Sequence, residues 1–226
     1  MLLELKNVSY RYGKDQPYIL NGVTAEFHPG TLYAIMGGSG SGKTTLLSLL
    51  AYLDQTTAGD IFFKSVNIRS MDENDYRSRC VSVIFQHYHL LPNYSVYDNI
   101  ITMLQVNRYP GDSKARADEI LDIVALPKEK RTAEARFLSG GEQQRIAIAR
   151  ALSSDAEVIL ADEPTGNLDD ENAQNIMQIF MKLKEQFHKC IIIVTHSGEI
   201  AQMCDCIYHL QNGCLRCPSA DGEERA

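Results

Sequence analysis

The glycine-rich segment at residues 37–44, Gly-Gly-Ser-Gly-Ser-Gly-Lys-Thr, constrains the fold of this chain more than any other feature. It matches the phosphate-binding pattern G-x-x-x-x-G-K-[ST]. The apolar run at residues 32–36 before it has the composition of a strand, and residues 44–53 after it carry leucines at helical spacing. This context disfavours a plain glycine-rich surface turn and predicts a phosphate-binding loop between a strand and a helix.

Each residue type in the loop has a chemical role at such a site. Glycines let backbone N–H groups converge on phosphate oxygens, and the dipole of the following helix adds positive potential. The Lys43 ammonium is expected to reach the β- and γ-phosphates, and the Thr44 hydroxyl to hold Mg²⁺. We therefore predict a nucleoside-triphosphate site formed by Gly37, Gly38, Ser39, Gly40, Ser41, Gly42, Lys43, Thr44 and Thr45.

A second segment, Val-Ile-Leu-Ala-Asp-Glu at residues 158–163, reads as a buried strand that ends in two carboxylates. Ligands of open α/β sheets bind at the carboxyl ends of the strands. Asp162 fits a carboxylate that holds Mg²⁺ through water, and Glu163 fits a base that orients or deprotonates an attacking water. Many strands end in solvated carboxylates, so this segment carries weight only together with the glycine-rich loop.

Strands and helices alternate along the chain, which predicts an α/β fold with a mostly parallel sheet of the P-loop NTPase (RecA-like) type. Alternating runs before residue 30 and over 58–67 predict an antiparallel β subdomain near the amino terminus. The amphipathic segment 113–125 predicts a helix within an inserted helical subdomain, and residues 142–152 predict a further helix beyond it. We expect one domain over residues 1–226, with a nucleotide-binding core at 1–89 and 142–226 and the helical insertion at 90–141.

A third segment, Leu-Ser-Gly-Gly-Glu at residues 138–142, reads as a helix start whose N–H groups suit an anion. Here the chain resembles the ATP-binding cassette (ABC) ATPases, whose signature is Leu-Ser-Gly-Gly-Gln. The resemblance covers all but about the last ten residues, and the other family elements follow in order. They are Tyr12, which matches the aromatic that stacks on adenine, Gln86 of the glutamine loop, Asp169 of the D-loop Gly-Asn-Leu-Asp, and the switch histidine His196.

The resemblance implies a composite ATP site between two chains. ATP and Mg²⁺ held by the glycine-rich loop of one chain would be capped by Ser139, Gly140 and Gly141 of another in a head-to-tail dimer. It further implies that Lys43, Gln86, Glu163 and His196 serve hydrolysis, and that Thr44, Gln86 and Asp162 hold the metal. Hydrolysis would then loosen the dimer and give an ATP-controlled switch.

Four of these assignments have ordinary alternatives. Tyr10 competes with Tyr12 as the stacking aromatic, and either one also fits a plain strand position. Gln86 also fits a polar loop residue, His196 a structural histidine at a strand end, and Asp169 a helix cap.

Charge and hydropathy narrow the class of protein. The 226 residues carry a net charge of −7, and no Lys/Arg cluster offers a basic face, so we expect no nucleic-acid partner. No run approaches the roughly 18 apolar residues of a membrane span, and the first residues do not resemble a signal peptide. These features predict a cytoplasmic protein with no intrinsic membrane span. The charge-rich stretch 219–226 predicts a frayed tail.

The six cysteines leave two interpretations open. Four of them, in the spacings C-x-C at 204–206 and C-x-x-C at 214–217, are close enough for a zinc site. Asn212-Gly213 between two short apolar runs instead predicts a β-hairpin, in which residues three apart point to opposite faces. We favour the hairpin with reduced, partly buried thiols.

The resemblance is strongest to the branch of ABC cassettes that serves lipoprotein release, macrolide export and antimicrobial-peptide resistance. It implies a cassette that works as a homodimer or paired cassette on the cytoplasmic face of the membrane, beneath a separately encoded permease. Residues 90–99 resemble the segment that docks the permease, although packing within the helical subdomain is an alternative. Two rival functions are transmembrane signalling of the cell-division type and a soluble iron–sulfur-assembly cassette. The chain departs from the family at Gly38, often a proline, and at Arg136-Phe137, where a proline usually stands.

Overall fold

Two sheets and a set of helices make up the computed structural model, which describes residues 1–217. The predicted tail at 219–226 lies outside this range. The strands are β1 (Leu3–Tyr10), β2 (Leu20–Phe27), β3 (Leu32–Met36), β4 (Ala58–Phe63), β5 (Val66–Asn67), β6 (Val81–Ile84), β7 (Val158–Asp162), β8 (Cys190–Thr195), β9 (Cys206–Gln211) and β10 (Cys214–Arg216). The α-helices are α1 (Lys43–Leu50), α2 (Glu73–Asp75), α3 (Val96–Val106), α4 (Ser113–Ile123), α5 (Gly140–Ala151), α6 (Asp170–Phe187) and α7 (Gly198–Gln202).

The larger sheet has the strand order β10-β9-β3-β8-β7-β6 and is parallel except for the β9–β10 hairpin at its edge. Its central strands are apolar throughout because helices or a second sheet cover both faces. Successive residues of β8 therefore pack on opposite sides of the sheet, Ile192 and Val194 in one core and Ile191 and Ile193 in the other. The predicted mostly parallel α/β sheet is confirmed.

The smaller sheet has the order β2-β1-β4-β5, and all of its pairings are antiparallel. It carries the alternating residues noted in the sequence, with one face buried. Buried side chains of this sheet, of α1 and of one face of the parallel sheet form one hydrophobic core. The predicted antiparallel sheet near the amino terminus is confirmed.

A second core lies on the other face of the parallel sheet and joins α3, α4, α5 and α6. Ser95 begins α3 with a capping box to Asp98. Arg131 is almost fully buried and pairs with Asp118 at 2.7 Å and with Asp122, which ties the chain after α4 back onto that helix. Because α3 and α4 share a core with α5 and α6, the limits 90–141 of a helical subdomain stay a prediction.

Two helix ends differ from the sequence expectation. The helix expected over 44–53 ends at Leu50, because Tyr52 takes a left-handed conformation (φ 53°) and packs edge-on against Tyr76 at 6.0 Å. The helix expected to begin at residue 142 begins at Gly140, because Ser139 caps it. In both cases a local conformation at one residue decided a boundary that apolar spacing does not encode.

The β9–β10 hairpin has the predicted turn, with Asn212 and Gly213 both at positive φ. Within residues 1–217, the structure contains no cluster of three or more His, Cys, Asp or Glu side chains arranged to hold a metal. None of the helices in this range combines the length and the apolar character that crossing a membrane requires.

Candidate nucleotide site

The sheet brings four chain segments to one edge. Parallel pairing sets Met36 opposite Thr195, Asp162 opposite Val194, and Ile84 opposite Ala161. The segments that follow β3, β8, β7 and β6 therefore leave the sheet side by side at its carboxyl edge. These segments carry the glycine-rich loop, His196, Glu163 and Gln86.

The glycine-rich loop has its shape because two of its glycines leave no room for a side chain. A Cβ on Gly37 would lie 2.5 Å from Ser41 Oγ and 2.6 Å from the backbone oxygen of Leu210. Gly42 has φ 99°, and a Cβ there would lie 2.8 Å from Ile19 Cγ2. Nothing approaches Gly38 or Gly40 in the same way. The loop is packed tightly against the protein at both ends and open between them.

The polar groups of the loop are arranged for an anion. Lys43 Nζ donates to the backbone oxygens of Gly37 (2.8 Å) and Gly38 (3.1 Å), and no carboxylate within residues 1–217 pairs with it. Helix α1 starts without a side-chain cap or an acidic residue in its first turn. The buried Ser41 Oγ has no hydrogen-bond partner in the described chain. An uncapped helix N-terminus, an unpaired ammonium and an orphaned hydroxyl together fit a phosphate group.

Asp162 lies at the end of β7, where its carboxylate accepts a hydrogen bond from the Thr44 hydroxyl at 3.1 Å. Burial raises the pKa of Asp162 above its ordinary value, the Thr44 hydrogen bond and the Lys43 charge oppose this, and the neighbouring Glu163 adds to it. A carboxylate and a hydroxyl side by side are hard oxygen ligands of the type that Mg²⁺ prefers. A divalent cation here would also offset the cost of the buried charge.

Glu163 follows directly and takes a left-handed conformation (φ 45°), which costs a residue other than glycine roughly 1 kcal/mol. Backbone hydrogen bonds hold it there, from its N–H to Val194 and from Gly166 to its carbonyl oxygen. Its Oε1 lies 2.9 Å from His196 Nδ1, and since a carboxylate only accepts, the ring nitrogen donates. Oε2 is buried without a partner in the described chain, which leaves one acceptor for a water.

The two tyrosines near the amino terminus have different environments. Tyr10 is buried, and its hydroxyl donates to Asp54. Tyr12 is 67% exposed, with its hydroxyl 3.3 Å from Thr45 Oγ1 on α1. Of these two tyrosines, Tyr12 is therefore the one that presents its ring to solvent beside the loop. Gln86 is exposed just beyond β6, and no hydrogen bond within residues 1–217 holds its side chain.

The segment around Ser139 is built as a helix start. The Ser139 hydroxyl accepts from the Glu142 N–H (3.3 Å), and the Glu142 carboxylate accepts from the Ser139 N–H (2.9 Å). Burial raises the pKa of Glu142, but this hydrogen bond and the nearby Lys130 outweigh it, so the net shift is downward. The spacing S-x-x-E at residues 139–142 is a capping-box signature, a local signal that is visible in the sequence.

Gly141 and Asp169 meet through a residue that sequence reasoning missed. Asp169 caps α6 by accepting from the Asn172 N–H at 2.8 Å, and this hydrogen bond lowers its pKa. The Asn172 side chain in turn sits so close to Gly141 that a Cβ there would lie 2.5 Å from Asn172 Oδ1. The cap interpretation of Asp169 thus describes a contact that the structure contains, and the contact joins the starts of α5 and α6.

The structure does not bring the third segment to the glycine-rich loop within one chain. In the part of the chain that the structure describes, no hydrogen bond or ion pair links residues 139–141 to residues 37–45. Ser139 and Gly140 are exposed to solvent. Within residues 1–217, the helix start at Ser139 is therefore not bonded to the glycine-rich loop of its own chain.

Known proteins resemble this chain over nearly its whole length. A family model described as ABC transporter matches residues 20–166. The lipoprotein-releasing system ATP-binding protein LolD of Alcanivorax borkumensis is 38% identical over 213 residues, 92% of each chain. The dimeric structure of MJ0796, a bacterial ABC transporter cassette, has a TM-score of 0.85 at 33% identity and covers 95% of this chain and 97% of its own. Another MJ0796 structure, a dimeric post-hydrolysis state bound to ADP and Pi, has a TM-score of 0.84.

Replacing Asp162 with Asn removes a buried charge and keeps an acceptor for the Thr44 hydroxyl. Because the pKa of Asp162 is raised in the folded protein, the contribution of this group to stability falls as pH rises above the ordinary value of 3.8. We expect Asp162→Asn to resist urea better than the wild type at about pH 7 without nucleotide, with a gain that shrinks toward about pH 4.

Urea denaturation followed by circular dichroism measures this difference. Asp169→Asn is the matched control, since the pKa of Asp169 is shifted downward and its removal gives no gain at neutral pH. If Asp162→Asn were no more stable than the wild type near neutral pH, burial of this carboxylate would carry no cost.

Proposed function

Because the chain belongs to the ABC transporter family of ATP-binding cassettes, it binds and hydrolyses ATP with Mg²⁺, and we propose that two such chains close head to tail on ATP to drive a separately encoded membrane permease. One observation carries this proposal. The chain holds two phosphate-suited sites, the glycine-rich loop and the helix start at Ser139, and within residues 1–217 no hydrogen bond or ion pair joins them. A second chain in the opposite orientation would supply to each loop the helix start that it lacks, and the MJ0796 cassette is a dimer.

In the proposed site the loop holds the triphosphate and Tyr12 stacks on the base. The backbone N–H groups of residues 38–45 and the Lys43 ammonium contact the phosphates. Thr44, Asp162 and Gln86 would hold Mg²⁺, which supplies charge neutralisation for the β- and γ-phosphates when bound. From the other chain, the exposed Ser139 with the N–H groups of Gly140 and Gly141 would meet the γ-phosphate.

Glu163 would position the attacking water. Its Oε2 has an unused acceptor, and a cavity of about 200 Å³ that it lines together with Thr195 and His196 gives room for solvent. His196 holds Oε1, so the carboxylate has one fixed and one available oxygen. On attack, Glu163 would accept the water proton while Lys43 and the Ser139 helix start stabilise the charge on the phosphate.

Loss of the γ-phosphate would separate the two chains, because the group that bridges the two helix starts is gone. This makes the dimer a two-state element whose closed form needs ATP. Transmitted to a permease, the motion would move cargo across the membrane. The proposed cargo is a lipoprotein, peptide or drug, and the proposed position of the cassette is the cytoplasmic face of the membrane. The similarity to the lipoprotein-releasing protein LolD supports the lipoprotein.

Residues 90–99 are the proposed contact with the permease. Part of the segment packs inside the protein, with Val96 buried, Asn99 fixed by backbone oxygens, and Tyr97 donating to Asp118. Tyr94 is different, since 53% of it is exposed. The inner side chains anchor the segment, and Tyr94 is available to a partner.

Glu163→Gln should reduce ATP hydrolysis by roughly 10²-fold or more and leave ATP binding intact, because the amide keeps the shape but loses the base. Single-turnover phosphate release and equilibrium ATP binding measure the two effects. His196→Ala is the companion variant, expected to lower turnover through loss of the contact that orients Glu163. Full turnover in Glu163→Gln would remove Glu163 from the mechanism.

Ser139→Arg should block ATP-dependent dimerisation and spare nucleotide binding by the isolated chain. A bulky cation at the exposed helix start obstructs the partner's triphosphate without touching the loop in its own chain. Sedimentation with ATP in the Glu163→Gln background reports dimerisation, with Ser113→Arg at the start of α4 as a control. A Ser139→Arg protein that still dimerises with ATP would count against the composite site.

We expect a permease to co-purify with the wild type from detergent-solubilised membranes of the native cell, and the Tyr94→Ala variant to capture less of it or none. Phe187→Ala is the control, since Phe187 is also exposed but lies on α6, and this variant should capture the permease as the wild type does. Mass spectrometry identifies the captured proteins. A multi-span permease with ATPase stimulation by lipoprotein, peptide or drug supports export. Capture of a permease without stimulation of ATPase activity by any cargo would favour transmembrane signalling over export. Capture of soluble partners alone would overturn the proposal of a permease partner.

A further inference from the structure

Two thiols meet at the base of the β9–β10 hairpin. Cys206 begins β9, and Cys217 follows β10, which pairs with β9 through Arg216 opposite His209. Their sulfur atoms are 3.6 Å apart. The residue after Arg216 falls opposite Tyr208, so Cys206 and Cys217 are diagonal neighbours on one face of the hairpin.

The other four cysteines have separate environments. Cys80 and Cys190 are buried in the core, and Cys204 donates to the backbone oxygen of Ile200. Cys214 is exposed, and its thiol donates to the Asn21 backbone oxygen near the hairpin turn. Among the six thiols, all of which lie within residues 1–217, Cys206 and Cys217 are the pair whose sulfur atoms are in contact. A disulfide would require the two sulfur atoms to close from 3.6 Å to about 2.05 Å.

We propose that Cys206 and Cys217 form an oxidative modification site that takes low-molecular-weight disulfides of the glutathione type. The two thiols react with one such disulfide to give a Cys206–Cys217 disulfide and two molecules of the small thiol. One sulfur of the pair first displaces a small thiolate and forms a mixed disulfide. The other protein sulfur then displaces the second thiolate, the two protons pass to the released thiolates, and the protein loses two electrons.

The environment makes Cys206 a weak first nucleophile. Burial and the contact with Cys217 raise the pKa of Cys206 to about 11, so Cys206 stays a thiol near neutral pH. Cys206 therefore attacks a small disulfide more slowly than an ordinary thiol, and the second attack, within the protein, suits it better. The second step is intramolecular over 3.6 Å, which compensates for the small thiolate fraction of Cys206.

The position of the pair decides what the bond would do. The other end of the hairpin packs against the nucleotide loop, since the Leu210 oxygen lies next to Gly37. It is also bonded to β2, where the Asn21 N–H donates to the Gly213 oxygen at 2.8 Å. Cys206 pairs with Tyr33 near the start of β3, away from the carboxyl edge where the loop lies. The disulfide would cross-link the hairpin at its base and would lie outside the candidate site. This inference does not depend on the proposed permease or dimer.

The test uses the full chain with Cys214→Ser, which removes the exposed thiol and serves as the parent. The protein is equilibrated with oxidised glutathione, digested and mapped by mass spectrometry. We expect a peptide pair joined through Cys206 and Cys217 with two hydrogens lost, a midpoint of thermal unfolding raised by roughly 5 °C, and ATP turnover within about twofold of the reduced parent. Cys206→Ser in the same background should retain glutathione on Cys217 and show no thermal shift, and Cys204→Ser should behave like the parent.

Three results would overturn the proposal. They are stable glutathionylation of the parent without an internal bond, a bond that joins other cysteines, and an internal bond that leaves thermal unfolding unchanged. The first two results would reject Cys206 and Cys217 as the modified pair. The third would reject the stabilisation of the fold by the bond. None of them bears on Glu163 or Ser139, so failure here is distinguishable from failure of the proposed function.

Discussion

Parallel pairing of β3, β8, β7 and β6 is the constraint on which the remaining structure depends. It requires strands that are apolar on both faces, so chemically active residues are excluded from the sheet and collect where the strands end. It also fixes their relative positions, because a shift of one residue would turn every side chain to the other face and exchange the two cores. The contact between Thr44 and Asp162 exists because β3 and β7 end level with each other on either side of β8.

The same sheet explains why Glu163 tolerates a strained backbone. Its N–H is bonded to Val194 of the neighbouring strand, so relaxing the left-handed conformation would break a hydrogen bond at the sheet edge. The carboxylate is thereby presented to His196 with one oxygen unused. The stability of the whole core offsets the cost of the left-handed backbone at Glu163. Such local strain is common where a site must be preorganised.

Local patterns predicted much of this structure. The loop, its flanking strand and helix, the strand before Asp162 and the hairpin turn at Asn212-Gly213 each have signals within a few residues. The different environments of Tyr10 and Tyr12 were not predictable from the sequence. They depend on two distant contacts, between the Tyr10 hydroxyl and Asp54 and between the Tyr12 hydroxyl and Thr45 on α1. The fit of Asn172 over Gly141 and of Leu210 over Gly37 joins residues far apart in sequence. Contacts of this kind have no local sequence signature, whereas the Ser139–Glu142 capping box has one in the spacing S-x-x-E.

The strand order has a consequence for the growing chain. The strand β3, which leads into the nucleotide loop, lies between β8 and β9, so both of its neighbours come from residues 190–211. The loop is also packed against Leu210. During synthesis, the first third of the polypeptide therefore lacks the supports that shape its own loop until the last strands leave the ribosome. A chain that ends before β9 lacks one of the two strands that flank β3 and the Leu210 oxygen that packs against Gly37.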